Sequence, residues 1–96
     1  MRQPLLNEHQ VIEVLAADDG PDWHLIGGKL VKTVVCATFV DALAFVGRVG
    51  ALAEAADHHP DIDIRWDTVT LRLSTHSAGG LTEKDLSLAA ALDELG

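Results

Sequence analysis

The alternation of apolar and polar residues between Ile62 and Leu73 constrains the fold of this chain more than any other feature. Ile62, Ile64 and Trp66 alternate with Asp63, Arg65 and Asp67, and Val69, Leu71 and Leu73 alternate with Thr70, Arg72 and Ser74. A period of two matches the pleat of a β-strand, so each run predicts a strand with one buried and one wet face. Such strands belong to antiparallel sheets, and a sheet with one apolar face needs a second layer to cover it.

The covering layer is written in the same sequence. Phe39, Ala42, Leu43, Val46, Val49, Leu52, Ala53 and Ala56 recur at helical spacing, which predicts a central helix from Phe39 to Ala56 behind Thr38 and Asp41. Upstream, Asp22 to Ile26 and Lys29 to Ala37 read as extended runs joined by Gly27-Gly28, a pair that tolerates the positive φ of a two-residue hairpin turn.

Helices are expected at both ends. Asn7 with Gln10 opens one near Asn7 to Ala17, whose apolar face is Val11, Ile12, Val14 and Leu15 and whose stop is Asp18-Asp19-Gly20-Pro21. Thr82 with Asp85 opens the last, which carries Leu86, Ala89, Ala90 and Leu92. The order αββαββα predicts an α+β fold, a four-stranded antiparallel sheet with three helices packed on one face.

Length and charge narrow the function. A chain of 96 residues is too short to divide into two self-sufficient cores, so 1–96 is expected to be one domain. Seven basic against fifteen acidic residues give a formal charge of -8, which repels phosphate backbones and anionic lipids and disfavours direct nucleic-acid or membrane binding. The single cysteine, Cys36, cannot form an intramolecular disulfide and reads as a small buried hydrophobe on a strand. With no basic-then-apolar leader and no long apolar span, a cytoplasmic location is expected.

Three of the five histidines, His58, His59 and His76, fall at element ends. His76 is in phase with Thr70, Arg72 and Ser74, off the apolar face, so core filling does not explain it. Imidazoles gathered in one place suit proton transfer near neutral pH. No serine nucleophile elbow or Cys–His pair accompanies them, and Gly79-Gly80 lacks the lysine and spacing of a phosphate-binding loop. The rival use is metal binding, with His59, Asp61 and His76 as a two-histidine, one-carboxylate iron triad. Pro60 disturbs the alternation such a triad would need, which argues against that metal site.

Asp85 has two uses open to it: accepting a hydrogen bond from an imidazole and so fixing its tautomer, or completing a capping box with Thr82. Glu54, in the last turn of the central helix, is poorly placed for the helix dipole and is read as a supporting residue. Trp66, in phase with Ile62 and Ile64, is assigned to the core, whereas Trp23 is left open between core and ring stacking.

The stretch EAADHHPDIDIRWDTVTLRLSTHSAGGLTEKDLSLA, Glu54 to Ala89, resembles the signature region of the pterin-4a-carbinolamine dehydratase (4a-hydroxytetrahydrobiopterin dehydratase) family. The matching positions are Glu54, His58, His59, Pro60, Trp66, His76 and Asp85, and the similarity continues upstream through FVDALAFVGRV to Trp23. Trp66 stands where many members carry tyrosine.

The resemblance implies the αββαββα sandwich and a hydro-lyase activity, dehydration of 4a-hydroxytetrahydropterin to quinonoid dihydropterin in tetrahydrobiopterin-type recycling, without metal or organic cofactor. It implies catalytic roles for His58, His59 and His76, with Asp85 and Glu54 in support. His58, His59, Pro60, Thr75, His76, Ser77 and Ala78 would contact the pterin. It further implies a homodimer or homotetramer and a functional link to a pterin-dependent aromatic amino-acid hydroxylase. An animal member also serves as dimerisation cofactor for a homeodomain transcription factor, a role of one lineage. The competing class is a non-catalytic interaction module that assembles through its sheet edges.

Overall fold

The computed structural model describes residues 4–95. Its elements follow the predicted order: α1 (Glu8–Ala16), β1 (His24–Ile26), β2 (Lys29–Val35), α2 (Phe39–Ala56), β3 (Asp61–Arg65), β4 (Thr68–Leu73), a single 3₁₀ turn (His76–Ala78) and α3 (Glu83–Asp93). The local start signals work as read. The Asn7 side chain accepts from the Gln10 amide while the Gln10 side chain accepts from the Asn7 amide, both at 2.8 Å. Thr38 accepts from the Asp41 amide at 3.0 Å and sets the first turn of α2. Gly27 and Gly28, at φ of 58° and 77°, make the tight turn between β1 and β2.

The four strands form one antiparallel sheet in the order β1-β2-β4-β3. β4 therefore lies between β2 and β3, and α2 carries the chain across the sheet from one to the other. Leu30 pairs with Leu73, Val34 with Val69 and Ile64 with Val69, which aligns the apolar positions of three strands on one face. Val11 from α1, Ala42, Phe45 and Val49 from α2, and Leu86, Ala89 and Leu92 from α3 close over that face. Leu30, Val69, Leu71 and Leu73 are wholly buried beneath them, and water exclusion over this one layer is the main force holding the fold.

Two tryptophans end in opposite places. Trp23 is core, 3% exposed, and its indole Nε1 donates to Asp93 Oδ1 at 2.9 Å. The same carboxylate takes the Lys32 ammonium at 2.6 Å and the Asp22 amide at 2.7 Å, pinning the last turn of α3 to the start of β1. Trp66 corrects its core assignment: it is 73% exposed at φ 56°, in the turn between β3 and β4. A two-residue connection demands positive φ, and that backbone rotation takes the side chain out of the alternation begun by Ile62 and Ile64. Cys36 lies just past β2, partly buried against the core.

Candidate active site

The end of α2 decides where the histidines go. Asp57 adopts the left-handed conformation, φ 50° and ψ 43°, and its amide donates to the carbonyls of Ala53 and Glu54. Aspartate is among the few residues apart from glycine that visit this region readily. The chain turns there, and the His58 amide returns to the Ala53 carbonyl at 3.1 Å. His58 folds inward, 8% exposed, whereas His59 stays in solvent.

Beneath His58 lies Asp85, with no exposed surface. His58 Nε2 is 2.6 Å from Asp85 Oδ1. The other carboxylate oxygen accepts the Thr82 amide at 2.9 Å and the Thr75 hydroxyl at 2.8 Å. Thr75 Oγ1 and Thr82 Oγ1 are themselves 2.8 Å apart, and Thr82 Oγ1 accepts from the Lys84 amide at 3.2 Å.

An ionised carboxylate only accepts, so the directions follow. The Thr82 hydroxyl donates to Thr75, the Thr75 hydroxyl donates to Asp85, and His58 donates through Nε2. That leaves Nδ1 as the ring nitrogen with no carboxylate partner. Every buried side-chain polar atom among the described residues has a hydrogen-bond partner, which is what a rigid polar centre requires. Asp85 thus serves both uses read from the sequence, helix cap and imidazole acceptor.

His76 comes from the other side. It opens the 3₁₀ turn immediately after Thr75, and the loop is clamped at its base where Thr75 and Gly80 exchange backbone hydrogen bonds at 2.9 and 3.4 Å. Gly79 closes the turn at φ 79°, a value that favours glycine. His76 is exposed while Thr75, in phase with Leu73, is buried, so the predicted phase holds beyond the end of β4.

The three histidines share one cleft of about 250 Å³ with Asp57, Ser74, Ser77 and Lys84. Thr75 also lines it, whereas Pro60 and Ala78 sit in the segments that carry the cleft without forming its wall. Glu54 Oε1 stands 3.6 Å from His59 Nε2, with both side chains largely in solvent, a contact of small energetic weight. Asp57, Ser74 and Lys84 were not singled out from the sequence. Lys84 precedes Asp85 on the first turn of α3, and only docking of that helix against the Ser74–Ser77 segment brings it to the histidines.

Among the described residues no three His, Cys, Asp or Glu side chains are placed to hold a metal ion, so His59, Asp61 and His76 do not form the triad weighed above. Nor, among those residues, is any helix long and apolar enough to cross a membrane.

A buried Asp–His pair and two further histidines line one small cleft on a four-stranded α+β sandwich, and the class of protein follows from that fold together with its sequence. The chain belongs to the pterin 4 alpha carbinolamine dehydratase family, whose sequence profile matches residues 4–95. A Chloroflexus aurantiacus protein provisionally named pterin-4-alpha-carbinolamine dehydratase is 55% identical over 92 residues, covering 96% of this chain and 97% of its own. A Nocardia farcinica protein with the same provisional name is 52% identical over 95 residues, covering 99% and 98%.

Among solved structures, a transcriptional coactivator/pterin dehydratase from Brucella melitensis superposes with a TM-score of 0.85 at 29% identity, over 96% of this chain and 98% of its own. A pterin dehydratase-like protein described as a RuBisCO assembly factor of the alpha-carboxysome gives a TM-score of 0.65 at 26% identity, over 76% and 87%. The family's fold thus carries more than one role, and the site has to argue for the chemistry.

Proposed function

We propose that this protein dehydrates 4a-hydroxytetrahydropterin to quinonoid dihydropterin by histidine general acid/base catalysis. The observation that carries the reading is the convergence of His58, His59 and His76 on one cleft, with His58 anchored to the buried Asp85. The membership of the family and the names of the relatives support the same activity.

The chemistry asks for little else. The N5 lone pair expels the 4a-hydroxyl as C4a=N5 forms, the C4a–O bond breaks as the oxygen takes a proton and leaves as water, and the N5 proton passes to a base. One acid and one base on the ring suffice, and imidazoles near neutral pH can fill either place. His58 and His76, reaching the cleft from different segments, act as the principal pair. His58 Nδ1 carries the exchanged proton while Asp85 holds Nε2 and so fixes the tautomer. His59 orients the pterin, and Glu54 steadies His59 from the rim. Thr75, Ser77, Pro60 and Ala78 shape the segments around the ring.

The chain works as a homodimer or homotetramer in the cytoplasm, recycling a tetrahydrobiopterin-type cofactor for an aromatic amino-acid hydroxylase. Supporting assembly are the edge strands β1 and β3 and the exposed apolar residues Phe39, Val40 and Leu43 at the start of α2. The decisive experiment is an assay of purified protein for accelerated loss of chemically generated 4a-hydroxytetrahydropterin, before and after dialysis against a strong chelator. Acceleration in both cases is expected. An unchanged rate would leave the interaction-module reading, and activity lost to chelation and restored by ferrous iron would favour a metal-dependent reaction.

A further inference from the structure

We propose that the concavity bounded by the Gly27–Gly28 turn, Lys29 and the Gly79–Gly80 pair receives the C6 substituent of the pterin, and that Lys29 selects substituents bearing hydrogen-bond-accepting oxygens. The inference rests on the pterin reading above and deepens it to a specificity-determining residue.

The histidine cleft encloses about 250 Å³. Small-molecule sites usually run to roughly 300–1,000 Å³, so the cleft alone is small for a substituted bicyclic ligand. C6 is two bonds from C4a through N5. With C4a held against the histidines, whatever C6 carries leaves the cleft, and any protein contact it makes is in an immediate neighbour.

Among the described residues, two concavities share walls with the cleft. Ser74, Thr75 and His76 form a wall common to the cleft and to a second concavity of about 360 Å³, whose other sides are Gly27, Gly28, Lys29, Gly79 and Gly80. On the opposite flank, His58 and Lys84 are common to the cleft and to a groove of about 470 Å³ between α2 and α3, lined by Leu52, Ala55, Leu88 and Ala91. The groove is apolar and would take a hydrocarbon. The concavity beside His76 is walled by backbone and polar side chains and takes an oxygenated chain.

Its walls are also open. Among the described residues, a Cβ built on Gly27, Gly28 or Gly79 would meet nothing within 4 Å, whereas one on Gly80 would meet Leu5 Cδ2 at 3.2 Å, so the space is open on the Gly27–Gly28 and Gly79 sides and bounded by Leu5 behind Gly80. Among the described residues that line it, Lys29 is the one lysine or arginine. Its Nζ lies 3.8 Å from Asp61 Oδ2, a long contact between partly exposed groups, which holds the ammonium weakly and leaves it free to turn to a ligand oxygen.

The test compares 4a-hydroxytetrahydropterins carrying a 6-methyl, a 6-propyl or a 6-dihydroxypropyl group, together with Kd values for the corresponding non-reacting 7,8-dihydropterins. Lys29→Met should raise KM and Kd for the dihydroxypropyl ligands roughly three- to tenfold, with kcat and all methyl values within about twofold. Lys29→Arg should retain the wild-type preference. If the wild-type protein turns over none of the substrates while Lys29→Met still shifts Kd selectively, the dehydratase reading falls and the subsite stands. The proposal is overturned if Lys29→Met is silent, if it shifts methyl and dihydroxypropyl ligands equally, if 6-propyl is preferred, or if no dihydropterin binds.

Discussion

Asp85 and His58 meet at 2.6 Å although they stand 27 positions apart in the chain, and the carboxylate has no exposed surface. One oxygen serves the imidazole and the other serves the cap of α3, so a single side chain joins the proposed proton-transfer group to the start of a helix. Asp85→Asn should fold, because the amide oxygen can keep the Thr82 and Thr75 donors, but its NH₂ would then face His58 Nε2 and require the other tautomer. Turnover should fall at least tenfold while the Kd of a non-reacting dihydropterin moves little. Asp85→Ala should also lose about 3 kcal/mol in urea unfolding, since buried donors lose their acceptor. An Asp85→Asn enzyme with unaltered kcat would separate the pair from the chemistry.

His76 and Leu73 come from the same stretch of chain but face solvent and core respectively. His76→Ala should unfold within about 0.5 kcal/mol of wild type and lose roughly 10²–10⁴ in rate, the scale of a positioned acid or base. Leu73→Ala should lose about 2–5 kcal/mol while the molecules that remain folded keep their intrinsic chemistry. Thermal unfolding and dehydration rates on both variants check this, and a His76→Ala protein turning over at the wild-type rate would remove His76 from the site.

Trp66 supplies a stability test of the turn between β3 and β4. As an exposed residue at φ 56° it should tolerate Trp66→Asn within about 1 kcal/mol, because asparagine accepts the left-handed region readily. A core tryptophan would lose about 3–5 kcal/mol on truncation. Urea denaturation separates the two outcomes.

Assembly is the remaining expectation. Light scattering at micromolar concentration should return the mass of a dimer or tetramer, and Leu43→Glu should lower it if the exposed start of α2 is part of the contact. A strictly monomeric wild-type mass would retire the oligomer.

Local signals explain what was legible beforehand. The period of two over Ile62–Leu73, the helical spacing over Phe39–Ala56, the caps at Asn7 and Thr82 and the Gly27-Gly28 turn each concern residues a few positions apart, where backbone geometry alone relates side chains to faces. The histidine cluster was legible as residue types at element ends and through the resemblance of the Glu54–Ala89 stretch. Tertiary structure decided the strand order, with β4 between β2 and β3. It also placed Lys32 at the core face against Asp93, turned Trp66 outward at its hairpin, and carried Lys84 and Ser74 to the histidines. These outcomes depend on pairings across long loops and on which backbone conformation a tight turn demands. No period or propensity along the chain encodes them, because the energies that select them arise only when remote segments meet and exclude water together.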